Sequence, residues 1–252
     1  MSVSVIVPTF KRPDFLERLL ASIATQTLKE FEVIVVDDNS PNKNDYQSVV
    51  EKYSKLFPLT FISNEENRGA PYSRNFGIQR AKYDYLALVD DDDEWLPQKL
   101  EKQLKAFQEG PKTLGLVYTW ADIVEVDKNK RYAFYQGKIN GHARKAILHE
   151  CFIPSPTVMV KKEAIFKAGL FDESFPSCQD WDTWTRIIFS GYEVKVLPEV
   201  LTLYHKHGAP TIGTSPKAKL GFVKYYQKHF WKLLIYGEWR HLVRLIRLKL
   251  KI

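Results

Sequence analysis

The sequence predicts an α/β fold in which a mostly parallel central sheet is flanked by helices. Short β-branched runs alternate with stretches of helical periodicity through residues 1–112. Consecutive strands joined by helices must pair in parallel, because a parallel pair needs a long crossover connection. The chain is 44% hydrophobic and 27% charged, which suits a globular protein with a full buried core.

Four strand–helix pairs are predicted in order along this first part. Each strand is a short apolar run, and each helix carries apolar residues at intervals of three or four. Pro71 and Pro97 mark two helix starts, since proline is favoured in the first turn. The strands are predicted at 3–7, 33–36, 59–62 and 85–89, and the helices at 15–23, 46–56, 71–80 and from 97 to 107.

The pattern changes after about residue 113, where short strands predominate. Runs of β-branched and aromatic residues are separated by turn residues, and two short helices end at Gly169 and Gly191. The stretch from His205 to Pro216 is rich in Gly, Pro, Thr and Ser and predicts a loop. Strands are predicted at 114–120, 123–126, 131–135, 157–160 and 193–197, and helices at 162–168 and 181–190.

The net positive charge lies in the C-terminal residues 224–252. Of the net charge of +7, residues 224–252 contribute eight basic residues and one acidic residue, which leaves 29 of each sign in residues 1–223. A body without net charge argues against a nucleic-acid-binding protein. The apolar face of the last predicted helix is Trp239, Leu242, Val243, Ile246 and Leu250, and its basic face is Arg240, Arg244, Arg247 and Lys251. Such a helix fits an anionic membrane surface, and the alternative is a helix packed on the domain with its basic side in water.

Neither secretion nor a membrane span is predicted. Cys151 and Cys178 are too few for a disulfide framework and lack metal-ligand spacing, so a reduced, cytosolic compartment is expected. The N-terminal MSVSVIVPTF has neither the positive region nor the cleavage site of a signal peptide. No apolar run approaches the roughly 18–20 residues that cross a bilayer.

Polar residues cluster where three of the predicted strands end. PTF at 8–10 follows the first strand, DDNS at 37–40 the second, and DDDDE at 90–94 the fourth. Ligands of open α/β sheets bind beyond the carboxyl ends of strands. Adjacent acids repel one another unless a cation neutralises them, and Mg²⁺ or Mn²⁺ combines carboxylate with phosphate oxygens. The alternative is a set of solvated turns, because acids favour helix starts and Asp, Asn and Ser are common turn residues.

These motifs resemble those of family 2 glycosyltransferases with the GT-A fold. The matching segments, in the family's order across residues 2–190, are VSVIVPTFKR, QTLKEFEVIVVDDNS, NRGAPYSRNFGI, YLALVDDDDEWLPQKLE and QDWDTWTRI. The resemblance implies a nucleotide-diphospho-sugar transferase domain at 1–220. Within it, residues 1–112 are the expected nucleotide-binding half and 113–220 the acceptor-binding half, followed by a basic amphipathic helical tail at 221–252.

The resemblance also implies roles for individual residues. Asp92, in the DxD motif, is the expected ligand of Mn²⁺ or Mg²⁺. Asp180 is the expected base that takes the proton from the acceptor hydroxyl, although Gln179 stands where the family often has Glu. The residues expected to bind the nucleotide are Pro8, Thr9, Phe10, Asp38, Arg74, Asp90 and Asp91.

Several neighbouring positions stay open at this point. Asp182 is expected to pair with the arginine four residues later on its helix. Trp181 and Trp184 either wall the acceptor site or belong to the core. His205 and His207 either approach the diphosphate or are exposed loop residues.

The predicted function is an inverting, metal-dependent transfer of a sugar from a nucleotide-diphospho-sugar, expected to be a UDP-sugar. The expected acceptor is a hydroxyl of a saccharide or lipid-linked saccharide in surface-polysaccharide synthesis, at the inner face of the cell membrane. One alternative is a sugar nucleotidyltransferase, although PTFKRPDF lacks the glycine-rich signature of those enzymes. Another is a non-catalytic carbohydrate- or membrane-surface-binding module, which an intact DxD motif disfavours. A dinucleotide oxidoreductase is disfavoured because no GxGxxG follows the first strand.

Overall fold

The computed structural model describes residues 1–42, 44–134, 136–206 and 216–249. The strands are β1 (Val3–Thr9), β2 (Phe31–Asp37), β3 (Leu59–Ser63), β4 (Tyr85–Leu88), β5 (Glu94–Trp95), β6 (Leu114–Glu125), β7 (Lys130–Ala133), β8 (Met159–Lys161) and β9 (Glu193–Lys206). The helices are α1 (Pro13–Ala24), α2 (Asn44–Tyr53), α3 (Ala70–Arg80), α4 (Lys99–Glu109), α5 (Arg144–His149), α6 (Lys162–Lys167), α7 (Gln179–Phe189), α8 (Pro216–Lys228), α9 (Phe230–Ile235) and α10 (Trp239–Lys249).

These strands form one sheet in the order β3-β2-β1-β4-β8-β6-β9-β5, with β7 paired to β6. The four strands β3, β2, β1 and β4 are parallel, as their helical connections predict. Beyond them β8 runs antiparallel to both β4 and β6, whereas β6 and β9 are parallel to each other. The α/β prediction is confirmed, and antiparallel pairs are confined to the side of the sheet beyond β4.

Alternate residues of the central strands face opposite ways and build two hydrophobic cores. Val5 and Val7 pack with residues of α1, α2 and α4 on one face. Ile6 packs on the other face in a core shared by α3, α5, α6, α7 and the C-terminal helices. α3 approaches the sheet closely because Gly77 has no side chain, and a Cβ there would lie 2.8 Å from Cγ2 of Ile6. Burial on both faces explains why these strands read as continuous apolar runs.

Two strands of the second half are longer than predicted. The segments expected at 114–120 and 123–126 are the single strand β6, which is irregular around Trp120. Asp122 does not interrupt this strand, because its Oδ2 accepts a 2.7 Å hydrogen bond from Nε of Arg131 on β7. The strand expected at 193–197 continues to residue 206, so His205 is in β9 and the prediction of a loop there is wrong. Pro216, the last residue of that predicted loop, begins α8, and residues 207–215 lie outside the described residues.

The C-terminal helices are attached to α7 through a buried carboxylate. Asp182 is fully buried, and its Oδ2 accepts hydrogen bonds from Nε of Arg186 at 2.8 Å and Nζ of Lys228 at 3.0 Å. Its Oδ1 accepts a third from Nε2 of His229 at 2.8 Å. The predicted pair with the arginine four residues later is confirmed, and the same carboxylate also anchors the end of α8.

α10 has three faces, one of which is buried. Leu242 and Leu245 are 9% and 7% exposed and pack into the core. Leu242 of the predicted apolar stripe thus packs on the domain, where α10 contacts α8, as the alternative of a packed helix predicts. The exposed apolar residues of the helix are Trp239, Val243 and Ile246. Residues 250–252 lie outside the described ranges, and none of the described helices is long and apolar enough to span a membrane.

Candidate active site

A cleft of about 1100 Å³ opens where β1, β2 and β4 end. The sheet brings these three ends together because β1 lies between β2 and β4. All but one of the predicted site residues line the cleft, and they are Pro8, Thr9, Phe10, Asp38, Arg74, Asp90, Asp92 and Asp180.

Asp38 shapes the loop that precedes α3. Its Oδ1 accepts hydrogen bonds from Nδ2 of Asn64 at 2.9 Å and from the backbone N–H of Arg68 at 3.0 Å. Its Oδ2 accepts another from the backbone N–H of Gly69 at 2.7 Å. Gly69 has φ of +87°, a conformation that favours glycine. Asp38 is thus a rigid part of the cleft wall.

Arg74 and Asp90 form an ion pair on the cleft wall. Arg74 is 5% exposed, and its Nη2 donates to Oδ1 of Asp90. Its Nη1 is also buried and has no hydrogen-bond partner among the described residues. A guanidinium that lines a cleft with a donor to spare is suited to an anionic ligand.

The four aspartates after β4 divide into two that reach the cleft and two that are buried. The side chains of Asp90 and Asp92 are 30% and 25% exposed, whereas Asp91 and Asp93 are fully buried. Burial, partly offset by a nearby arginine, raises the pKa of Asp91 to about 7. Burial and the neighbouring aspartates also raise the pKa of Asp93 well above its usual range. The carboxylates that the cleft offers to a ligand from this run are therefore Asp90 and Asp92.

Arg12 joins the buried and the accessible aspartates, and the sequence analysis missed it. Its Nη1 donates to Oδ2 of Asp92 at 2.7 Å, and its Nε donates to Oδ2 of Asp91 at 3.3 Å. Oγ1 of Thr9 donates to the same Asp91 oxygen at 2.7 Å. The expected contact between Asp91 and the ribose does not fit this placement, because the carboxylate lies below the cleft and holds Arg12 and Thr9. The signal in the sequence that could have pointed to Arg12 was a basic residue in PTFKRP, between the first strand and its helix.

Asp180 reaches the same cleft from the first turn of α7. Its Oδ1 accepts a 2.8 Å hydrogen bond from the backbone N–H of Trp181. Burial raises the pKa of Asp180, the positive charge of Arg74 opposes that rise, and the charge of Asp90 adds to it. Asp180, Arg74 and Asp90 all line this cleft, so their charges influence one another. A carboxylate with a raised pKa is a better proton acceptor than an ordinary aspartate.

The two tryptophans of α7 have different surroundings. Trp181 lines the cleft, yet its ring stacks on Tyr225 of α8 with centroids 3.9 Å apart and an interplanar angle of 17°. Its Nε1 donates to the carbonyl of Ile147 at 2.6 Å. Trp184 is fully buried and meets Phe171 edge-on. Trp184 is therefore a core residue, whereas Trp181 belongs to both the core and the cleft.

His205 and the two cysteines also line the cleft. Nε2 of His205 lies 3.2 Å from Oε2 of Glu94, and His207 lies outside the described residues. Burial raises the pKa of the Cys178 thiol to about 11, and Cys151 is exposed. Neither thiol is ionised at neutral pH, so neither is a candidate nucleophile.

The oxygen ligands on the cleft fit a divalent cation that is shared with a ligand. Among the residues that the structure describes, no group of three or more His, Cys, Asp or Glu is placed to hold a metal ion. Asp90 and Asp92 nevertheless present accessible carboxylate oxygens. Mg²⁺ and Mn²⁺ are commonly held by one or two carboxylates together with substrate phosphates. The donor set fits a cation bound jointly with a nucleotide diphosphate.

The central sheet with its flanking helices has the GT-A fold, which solved glycosyltransferase structures share. The family model described as glycosyl transferase family 2 matches residues 4–168. The chain belongs to this family and is a glycosyltransferase enzyme, as the sequence motifs predict.

Named relatives extend the similarity over most of the chain. An uncharacterised glycosyltransferase of Methanocaldococcus jannaschii, MJ1057, is 32% identical over 232 residues, which cover 91% of this chain and 79% of that protein. The amylovoran biosynthesis glycosyltransferase AmsE of Erwinia amylovora is 28% identical over 207 residues, covering 79% and 74% of the two chains.

Solved structures share the fold at lower identity. S. aureus TarS 1–349 in complex with UDP-GlcNAc has a TM-score of 0.77 at 22% identity, and the match covers 93% of this chain and 67% of that one. The mannosyltransferase PcManGT from Pyrobaculum calidifontis, in complex with GDP-Man and Mn²⁺, has a TM-score of 0.68 at 22% identity, covering 90% and 64%. The full TarS chain is longer, and this chain spans 39% of it.

Proposed function

We propose that this enzyme transfers a sugar from a UDP-sugar to a hydroxyl of a saccharide or lipid-linked saccharide, with inversion at the anomeric carbon and with a bound divalent cation. The observation that carries the proposal is that one cleft brings the Asp90 and Asp92 carboxylates together with Arg74 and Asp180.

The nucleotide is proposed to lie at the ends of β1 and β2. Phe10 offers a partly exposed ring for the base, and the Asp38 loop borders the ribose. Asp92 holds Mn²⁺ or Mg²⁺ together with the diphosphate. When bound, the cation supplies positive charge at the leaving diphosphate. Arg74, paired with Asp90, directs its remaining donors to the same phosphates.

Asp180 is proposed to act as the general base. It accepts the proton of the acceptor hydroxyl while that oxygen attacks the anomeric carbon from the face opposite the diphosphate. The new glycosidic bond forms as the bond to the diphosphate breaks, and one displacement inverts the carbon. Residues 1–112 would then serve the donor and 113–220 the acceptor.

The proposed setting is surface-polysaccharide synthesis at the cytoplasmic face of the membrane. Support comes from a relative named for amylovoran biosynthesis and from a structural neighbour that binds UDP-GlcNAc. The tail at 221–252 is the proposed membrane contact, because it carries the whole net positive charge.

Donor use and metal dependence are tested together with purified protein and a panel of UDP- and GDP-sugars. We expect UDP to bind with Mn²⁺ or Mg²⁺ and to bind at least about tenfold more weakly with EDTA. The Asp92→Asn variant should lose the metal-dependent part of binding, measured by calorimetry. Asp127→Asn is the matched control, since Asp127 lies in a surface turn at 126–128. Equally tight binding of UDP in EDTA would contradict the metal role, and binding without turnover would favour the non-catalytic alternative.

Membrane association is tested on the exposed apolar residues of the tail. Trp239 and Ile246 are 60% and 59% exposed, and burying two such side chains at a bilayer surface is worth several kcal/mol. We expect the double change Trp239→Ser and Ile246→Ser to weaken cosedimentation with phosphatidylglycerol vesicles at least about tenfold. Leu56→Ser is the control, because Leu56 is 62% exposed but lies beyond α2, in the first half of the chain. Unchanged partitioning of the double variant would overturn the membrane contact.

A further inference from the structure

Two arginines of the tail helix line the active-site cleft. Arg240 and Arg244 of α10 are exposed, as the basic stripe predicts, and they also form part of the cleft wall. They are one helical turn apart and therefore share a face. The Arg244 guanidinium lies 4.7 Å from the ring centroid of Phe222, which lies 6.1 Å from the ring of Trp181, the residue after Asp180. The arginine face of α10 thus borders the part of the cleft that contains the proposed base.

The orientation of this face is fixed by contacts that Arg240 and its neighbour His241 make with residues on the same cleft wall. Nε2 of His241 donates to the carbonyl of His149 at 2.7 Å, and Nδ1 of His241 lies 3.2 Å from the Tyr226 hydroxyl. Burial lowers the pKa of His241, so the ring is neutral and its Nδ1 accepts from the tyrosine. Arg240 donates from Nη2 to the same His149 carbonyl at 2.6 Å. The helix cannot rotate its arginines away from the cleft without breaking these bonds.

Arg244 has no paired carboxylate among the described residues, because the buried acid nearby has other partners. Glu238 is 5% exposed, and it is shared by His149 at 3.1 Å and Arg240 at 3.6 Å. Glu150 also lies on the cleft wall, but in the described part of the chain no carboxylate is within 4 Å of Arg244. The guanidinium of Arg244 instead lies 4.7 Å from the ring centroid of Phe222. One Arg244 donor is directed at the Tyr226 hydroxyl. A guanidinium has five N–H donors, so others remain for an anion inside the cleft.

The exposed apolar residues of the tail adjoin this arginine face. Trp239 and Val243 immediately precede Arg240 and Arg244, so on an α-helix the two faces lie about 100° apart. Trp231 and Ile235 of α9 extend the apolar surface, since they are 71% and 76% exposed. One helix therefore presents an apolar surface to the outside and, beside it, two cations to the cleft. An amphiphile with a phosphate at its head matches that arrangement.

We infer that Arg240 and Arg244 bind the phosphate or diphosphate that joins the acceptor saccharide to its lipid. The lipid chain then lies along the exposed apolar residues of α9 and α10, and the saccharide extends from the phosphate towards Asp180. This inference deepens the proposed function and rests on it, because it assigns a site to the lipid-linked form of the acceptor.

The test measures binding of farnesyl diphosphate to the full chain by calorimetry, alone and with UDP and MnCl₂ present. Farnesol supplies the chain without phosphate, and inorganic pyrophosphate supplies the phosphates without the chain. We expect farnesyl diphosphate to bind at least about tenfold more tightly than either probe. We expect Arg244→Ala, and Arg240→Ala with Arg244→Ala, to weaken that binding at least about tenfold. Arg247→Ala is the matched control on the same helix, because Arg247 does not line the cleft, and Arg244→Lys should retain part of the affinity.

The outcomes separate this inference from its alternatives. It is overturned if farnesyl diphosphate binds no better than pyrophosphate, or if Arg244→Ala behaves like Arg247→Ala while circular dichroism shows both variants folded. Phosphatidylglycerol vesicles distinguish the source of the phosphate. Loss of vesicle binding by Arg244→Ala with no change in farnesyl diphosphate binding would assign the arginines to bulk lipid and overturn the inference. If UDP fails to bind the wild-type chain while farnesyl diphosphate binding depends on Arg244, the proposed donor is wrong and the arginine site stands.

Discussion

Replacing Asp180 with asparagine is expected to lower the rate of sugar transfer about 10³-fold and to leave UDP affinity unchanged. Asparagine keeps the shape and the hydrogen bond from the backbone N–H of Trp181, but it cannot accept the proton of the acceptor hydroxyl. The donor-side residues are untouched, so calorimetry with UDP and Mn²⁺ should give the wild-type affinity. Single-turnover assays should then show that the loss of rate lies in the chemical step.

The pH dependence gives an independent readout of the same carboxylate. Because burial raises the pKa of Asp180, the base is protonated at a higher pH than an ordinary aspartate. Activity should therefore fall as the pH decreases through this raised pKa, and the acidic limb of the pH–rate profile should lie above the usual aspartate range.

Glu150 provides the matched control, because it is a second carboxylate on the same cleft wall. Glu150→Gln is expected to keep transfer within about threefold of wild type. An active Asp180→Asn variant together with an inactive Glu150→Gln variant would move the base to Glu150.

Replacing Asp182 with alanine is expected to destabilise the protein by about 3–5 kcal/mol. The change leaves Arg186, Lys228 and His229 without the carboxylate that they share, and the site is fully buried. Burial alone would raise the pKa of Asp182, but the hydrogen bond from His229 and the charge of Arg186 outweigh it and hold that pKa below its usual value. The stabilisation from this carboxylate is therefore complete above about pH 4 and is lost as the pH falls through the lowered pKa.

Urea unfolding monitored by circular dichroism measures the loss of stability, and hydrogen exchange locates it. We expect α8 and α10 to exchange fastest in the variant, because Asp182 ties α7 to the end of α8. Glu109→Ala is the control, since Glu109 forms an exposed pair with Lys105 at 3.7 Å, a type of contact worth about 0.5 kcal/mol or less. Similar losses in the two variants would show that the buried cluster is not an anchor.

The parallel half of the fold could be predicted from the sequence because its signals are local. Residues such as Val5 and Ile6 are buried on both faces of the sheet and make an unmistakable apolar run, and Pro71 lies in the first turn of α3 as expected. The length of β9 could not be predicted, because Pro198 and Glu199 interrupt the apolar run after Leu197 and form an irregularity in its pairing with β6. The periodicity of one segment carries no information about its pairing with a strand that is distant along the chain.

The site residues also divide into those that the sequence reveals and those that it does not. Asp90, Asp92 and Asp180 belong to motifs that a single sequence displays, and the cleft brings them together. Arg12 was missed because its significance comes from Asp91 and Asp92, some 80 residues away. The position of the α10 arginines beside the cleft could not be predicted, because helical periodicity gives their relative positions on the helix but not which face borders the cleft.

The stack of Trp181 on Tyr225 has a practical consequence for handling this enzyme. Trp181 directly follows Asp180, so the position of the proposed base depends on an aromatic ring supplied by α8. Shortening the chain before Tyr225 to obtain a better-behaved sample would remove that support along with the apolar surface. The shortened chain would also lose Lys228 and His229, two partners of the buried Asp182, so it should be destabilised as well as inactive. Activity screens with this protein should therefore begin with the intact C-terminus, with detergent added if solubility requires it.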